Sequence, residues 1–191
     1  MNVALIDGHP TNGSFCQALA QAYSDGAAAS GHSVTRLALR DMAFEINLRH
    51  GYKQRVDLEP DLQAAQAALK AATLIVVVTP IWWGGPPALL KGFFDRTFLP
   101  GFAFKYRENS VWWDKYFVGK RGRIIATSDA PAGYMRWVRG DSTVKMIRSS
   151  ILDFVGVKPV RVTRIGNVKW CKPPALEKHL AHVHALGRKG R

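Results

Sequence analysis

Thr73-Leu74-Ile75-Val76-Val77-Val78 runs directly into Thr79-Pro80-Ile81-Trp82-Trp83-Gly84-Gly85-Pro86-Pro87. An uninterrupted β-branched, apolar run of this length suits a central parallel strand covered on both faces. The two Trp, two Gly and two Pro that follow make a stiff, aromatic loop that permits close backbone approach. From Pro86 to Phe98 the apolar residues Leu89, Leu90, Phe93 and Phe94 recur at helical spacing. Strand, loop and helix together form one βα unit.

The same unit repeats on either side. Asn2 to Asp7 is a short apolar run ending at Gly8-His9-Pro10, which reads as a buried strand entering a loop. Ser14 to Ala29 is Ala-rich, with Ser14 as N-cap, and Gly31 ends that helix before a strand at Ser33 to Leu39. After a polar stretch from Arg40 to Leu58, Pro60 starts a helix running to about Ala71. Downstream, Arg123 to Thr127 and Pro159 to Ile165 read as strands, and Val144 to Val155 and Leu176 to Leu186 as helices. Five strand–helix alternations imply an α/β fold with a doubly wound parallel sheet and right-handed crossovers. One domain spanning 1–191 is expected, without repeat or linker. Only Pro100 to Lys120 breaks the alternation, and its seven aromatics point to an interface or a pocket wall.

With 47% hydrophobic residues the chain reads as globular, and 191 residues bury a core without staples. Cys16 and Cys171 offer neither metal spacing nor a disulfide framework. With no basic n-region or long apolar run, a cytoplasmic protein is expected. The net charge of +13 attracts anions. Its clusters, Lys115 to Arg123, Lys158 to Arg164 and Arg188 to Arg191, are spread along the chain and read as solvated surface. No nucleic-acid partner is expected, and the charge leaves contact with a membrane surface or a transporter open.

Ligands of open α/β sheets bind at the carboxyl ends of strands, where strand order reverses. The loop after the first strand carries neither the dinucleotide fingerprint nor a Walker pattern, which argues against a classical dehydrogenase and a P-loop enzyme. It reads His9-Pro10-Thr11-Asn12-Gly13-Ser14-Phe15-Cys16: hydroxyls leading into a helix N-terminus that favours an anion, although a merely capped helix would look similar. The loop after the third strand offers indole faces and free amides to a flat heteroaromatic ring, or else two core Trp in a tight turn. His179, His182 and His184 read as surface histidines, and no metal site is expected. Cys16, at a helix N-terminus, is a place where a thiol pKa can fall.

The stretch Thr79 to Phe98 resembles the NAD(P)H:quinone oxidoreductase family, the flavodoxin-fold group that includes DT-diaphorase and the potassium-efflux ancillary reductases. It follows that family's P-[LI]-x-W-x-x-x-P-A-x-L-K-G-[WF]-x-[DE]-R-x-F pattern. His9 with Ser14-Phe15 is similar to its phosphate loop, and Gly101-Phe102-Ala103-Phe104 to its G-x-F-A-[FY] segment. The resemblance implies a flavodoxin-like five-stranded sheet in order 2-1-3-4-5 with helices on both faces. It implies a flavin held by His9, Thr11, Ser14, Phe15 and Cys16 at the phosphate. Pro80, Ile81, Trp82, Trp83, Gly84, Thr127 and Ser128 would hold the ring. Phe104 and Tyr106 would complete a partner subunit's pocket in a homodimer. FMN is favoured over FAD because the Arg40 to Leu58 stretch is short, and either NADH or NADPH would be the co-substrate.

The chain departs from the family after the fourth strand, where a common T-T-G-G becomes Thr127-Ser128-Asp129-Ala130. An acidic Asp129 near the flavin would oppose a reduced anion unless it points away. Tyr134 matches a catalytic Tyr, while Arg139 stands near the usual His. Arg139 can stabilise negative charge there but cannot shuttle protons. The expected activity is two-electron, ping-pong transfer from NAD(P)H to a quinone or similar aromatic acceptor. The alternatives are a flavin-binding regulatory subunit with little turnover and, less well supported, a flavodoxin-type carrier.

Overall fold

Val76, Val77 and Val78 are wholly buried, and sheet topology is the reason. In the computed structural model, which describes residues 1–54 and 56–190, they belong to the strand Leu74–Pro80 (β3), paired on both edges. Asn2–Asp7 (β1) lies beside it and Ser33–Ala38 (β2) beyond; on the other side lie Arg121–Thr127 (β6) and Val160–Ile165 (β7). The five are parallel, in the order β2-β1-β3-β6-β7. The count skips two because the aromatic stretch, read as irregular, contains an antiparallel hairpin of Phe104–Tyr106 (β4) and Trp113–Lys115 (β5). Arg55, in the polar stretch, and Arg191, last of a basic cluster, lie outside the described residues.

Strand alternation decides which core each residue enters. Ala4, Ile6, Ile75, Val77 and Ile124 face one side, against the helices Pro60–Ala71 (α2) and Ala88–Thr97 (α3). Val3, Leu5, Val76, Val78 and Ile125 face the other, against Phe15–Ala28 (α1) and Pro173–Arg188 (α6). The expected doubly wound arrangement is thus present. No helix among the described residues is long and apolar enough to cross a membrane.

Three elements depart from expectation. The helix read over Val144 to Val155 begins as four α-helical residues, Ser142–Lys145 (α5), and continues as a π-helix over Met146–Asp153. Its buried residues are Val144, Ile147, Leu152 and Val155. The step of five between Ile147 and Leu152 suits i→i+5 winding. A short helix, Ala132–Trp137 (α4), and a 3₁₀ turn, Val168–Trp170, lie in segments read as loops; neither buries a residue, so no apolar period announces them.

The polar stretch is tied down by Arg96 of α3, whose buried guanidinium donates to the Glu45 carbonyl (2.6 Å) and pairs with Glu59 (2.7 Å). On the opposite face α1 and α6 touch backbone to backbone. A Cβ at Gly26 would strike the His184 carbonyl, and one at Gly187 the Tyr23 carbonyl. Gly26→Ala therefore sets a helix-propensity gain of about 1 kcal/mol against overpacking worth roughly 1–3 kcal/mol. A backbone obstacle cannot rotate aside, so we expect net destabilisation of about 1–2 kcal/mol, read as a lower urea midpoint at unchanged m-value.

Candidate functional site

Three loops leave the carboxyl ends of β1, β3 and β6 on the same edge of the sheet and enclose a cleft of about 370 Å³. The β1 loop supplies the floor. Ser14 caps α1, its Oγ accepting from the Gln17 amide (3.1 Å). The first-turn amides of Phe15 and Cys16 have no acceptor within the helix. Amides, a hydroxyl and the positive end of the helix dipole converge there, a donor set suited to a phosphate monoester. Thr11 is drawn to His9, its amide donating to Nδ1 at 3.2 Å. Burial lowers the His9 pKa, only partly offset by the Thr11 contact and Asp7, so the ring is neutral near pH 7. It meets Trp82 edge to face, with centroids 5.5 Å apart, and so joins the first two loops.

The β3 loop supplies a backbone edge. Trp82 and Gly85 exchange amide–carbonyl bonds of 2.8 and 2.9 Å, closing a tight turn over Trp83 and Gly84. Ser142 and Thr143 hydroxyls both donate to the Gly84 carbonyl, at 2.5 and 2.8 Å. The amides of Trp83 and Gly84 have no acceptor among the described residues. Trp83 has a φ of 53°, strained for a bulky residue, and its indole is fully exposed. Outward amides on a rigid turn can read the polar edge of a planar ring.

The β6 loop closes the third side with Thr127 and Ser128. Ser128 is held by its own Oγ–H donating to the Ala130 carbonyl at 2.8 Å. Asp129 lines the cleft, but its Oδ1 accepts from the Lys169 amide at 3.1 Å. That carboxylate is thereby turned toward the turn after β7, which removes the conflict expected from an acid at this position. Asp141 is held in a bidentate pair by Arg164, with Nε to Oδ1 at 3.0 Å.

The structure thus brings His9, Thr11, Ser14, Phe15 and Cys16 together with Pro80, Ile81 and Trp82, and with Thr127 and Ser128. Trp83 and Gly84 belong to the same turn but stand at the rim. Tyr134 and Arg139 are exposed beyond the cleft and do not line it. Phe104 and Tyr106 lie elsewhere, along a separate groove of about 450 Å³. The Phe104 ring is buried against Phe154, centroids 4.9 Å apart, while Tyr106 remains exposed. Cys16 is not acidified by its helix position. Burial is the largest influence and pushes the thiol up to about 12, with Thr127 Oγ1 at 3.2 Å opposing it.

One group of site residues escaped the sequence reading. Asp7, at the end of β1, is wholly buried beneath the first loop. Its Oδ2 receives Arg36 (2.7 Å) and Arg40 (2.8 Å), and Arg40 Nε donates onward to Asn12 Oδ1 (2.8 Å). Arg40 thereby ties the helix-capping loop to the sheet. A charge closing an apolar run, with Arg36 in the neighbouring strand and Arg40 just after it, was the signal available.

Compared with known proteins, residues 1–186 match the family model described as a flavodoxin-like fold. NAD(P)H dehydrogenase [quinone] 1 of Rattus norvegicus is 35% identical over 118 residues, 58% of this chain and 42% of that protein. An FMN-dependent NADH:quinone oxidoreductase of Beijerinckia indica is 27% identical over 129 residues, 68% of this chain and 59% of that protein. The crystal structure of Smu.1420 from Streptococcus mutans superposes with a TM-score of 0.81 at 25% identity, covering 99% of this chain and 100% of that one. The chain spans about half the length of the curated relatives it matches.

Two outcomes follow from this geometry. With a thiol pKa of about 12, only about one Cys16 in ten thousand is ionised at pH 8. Iodoacetamide should therefore label Cys171 alone in the folded protein, as peptide mass spectrometry would show. Asp7→Ala leaves guanidinium charge buried without its acid and should cost about 3 kcal/mol. Asp7→Ala with Arg40→Met should recover part of that loss in urea titrations, because the stranded charge goes too.

Proposed function

Starting from the membership of this chain in the flavodoxin-like fold family, we propose that it is a flavin-dependent NAD(P)H:quinone oxidoreductase built on one domain. The observation that carries this reading is the meeting, at one edge of the sheet, of an open helix N-terminus on the floor of the cleft and a rigid turn with two free amides at its rim. The names of the rat and Beijerinckia relatives support the same activity.

The donor set fits a flavin mononucleotide. The Phe15 and Cys16 amides with the Ser14 hydroxyl would hold the phosphate, and neutral His9 would add a polar contact without adding charge. Pro80 to Gly84, with Thr127 and Ser128, would seat the ring's polar edge. FMN suits the site better than FAD, since Arg40 and Asn12 close the β2 side of the phosphate loop. Bound there, the flavin supplies the two-electron chemistry that links a nicotinamide to an aromatic acceptor.

The chain's own part is positioning and electrostatics. Trp82 walls the cleft and meets His9 edge to face. The Ser142 and Thr143 bonds to Gly84 hold the Trp83 and Gly84 amides at fixed angles, so no reorganisation is needed when negative charge develops beside them. Arg139 carries a fixed positive charge, which would favour an anionic product and cannot shuttle a proton.

A homodimer belongs to this reading. Trp113 stacks on Phe154 (4.4 Å, 19°) and donates Nε1–H to the Phe154 carbonyl (2.8 Å), so the hairpin is braced while Tyr106 and Trp112 stay exposed. Such a braced aromatic tip suits a cover for the cleft of a second copy.

An absorbance spectrum of the FMN-reconstituted protein tests the proposal. Bands near ~370 and ~450 nm should bleach with anaerobic NADPH or NADH and return with a quinone. Bound flavin that never bleaches would replace the enzyme by a flavin-binding regulatory subunit. Failure to take up flavin would remove the proposal altogether.

A further inference from the structure

The segment above the cleft presents a surface that the flavin reading leaves unused. Helix α4 buries none of its residues, yet it is held at both ends. At its start the Asn167 amide donates to Ala130 (3.2 Å), and Gly166 lies so close to the Ala132 amide that no Cβ would fit. At its end Asp141 is clamped by Arg164, and Ser142 is bonded to Gly84. A short helix with no core contact and two firm ends is a plate, with Tyr134, Trp137 and Val138 uncovered on it. Beside it is the 168–170 turn: Val168 lines the cleft, and Trp170 stands 74% exposed.

Each exposed indole carries a cation. Arg136 lies over the Trp137 ring at 4.6 Å, and Lys169 over Trp170 at 5.3 Å. Arg139 is exposed nearby. The acids of this region are already committed, Asp129 to the Lys169 amide and Asp141 to Arg164. Among the described residues neither Arg136, Arg139 nor Lys169 has a carboxylate partner. Indole faces stack a purine, and unpaired guanidinium and ammonium groups attract a phosphate dianion.

We propose that α4 and the 168–170 turn form a subsite for the adenosine 2′-phosphate end of NADPH, which makes NADPH rather than NADH the preferred donor. The inference rests on the cleft below being the flavin site, because that cleft fixes where the nicotinamide must lie. Trp137 or Trp170 stacks the adenine, while Arg136 and Lys169 take the 2′-phosphate. NADH presents a neutral hydroxyl there and leaves both cations solvated.

The test is a calorimetric titration of the FMN-reconstituted protein with adenosine 2′,5′-bisphosphate and, separately, with 5′-AMP. The bisphosphate should bind at least tenfold more tightly, the size of one charge-assisted contact. Arg136→Ala with Lys169→Ala should erase that margin, and Trp170→Ala should weaken both ligands. In turnover, the ratio of kcat/KM for NADPH to that for NADH should fall about tenfold in the double variant. Equal binding of the two nucleotides, or an undiminished margin in the double variant, would overturn the proposal. Flavin that NADH and NADPH bleach equally well would overturn it too and leave the reductase standing. Flavin that neither reduces would remove the reductase, while the nucleotide titration still decides the subsite.

Discussion

Asp7 carries its negative charge out of reach of water, and two guanidiniums on one carboxylate oxygen make that tolerable. The pairing fixes more than charge. Arg36 belongs to β2 and Arg40 to the turn after it, so the outer strand is joined to the end of β1 by side chains as well as by the ladder. Because Arg40 continues to Asn12, the junction also sets the height of the loop that caps α1. The helix-capping turn is therefore held by an ionic interaction from beneath the sheet edge. Buried pairs of this kind contribute less to net stability than to a unique arrangement, and a unique arrangement is what a phosphate cradle needs.

Above that junction the site is built largely from backbone. In the proposed function the Phe15, Cys16, Trp83 and Gly84 amides do the work that charged side chains do elsewhere, and the Ser142 and Thr143 hydroxyls hold the Gly84 carbonyl. Near neutral pH His9 is uncharged and the Cys16 thiol stays protonated, so neither adds charge to the site. It also tolerates Asp129 where small residues are the family habit, provided the carboxylate is engaged sideways. The Lys169 amide meets that condition, so the turn after β7 compensates for a substitution after β6.

The sheet was legible wherever period and burial agree. Leu74 to Val78, buried throughout, could only be a central strand, and the alternating faces of β1 and β6 followed from it. The loops at the carboxyl ends were legible through their chemistry: Ser14 before an Ala-rich helix, Trp82 to Gly85 after a strand. Segments that bury nothing were not legible. α4 has no apolar face to mark it, and the Asp7 junction depends on residues 33 positions apart meeting across a parallel pair. The state of Cys16 was not legible, because helix position speaks for a low pKa, while burial, which sequence alone does not reveal, outweighs it. Which of Phe104 and Tyr106 turns inward was not legible either, since only packing shows it.

The contact between α1 and α6, where glycines let two backbones meet, reaches into the life of the chain during synthesis. α1 carries the helix-capping turn of the cleft and precedes β2 in the chain, whereas the helix that completes its core face follows β7. Until α6 arrives, Tyr23 and Leu19 lack their cover and the cradle has no rigid backing. Under the proposed function, the growing chain gains its nucleotide cradle only when this second core closes.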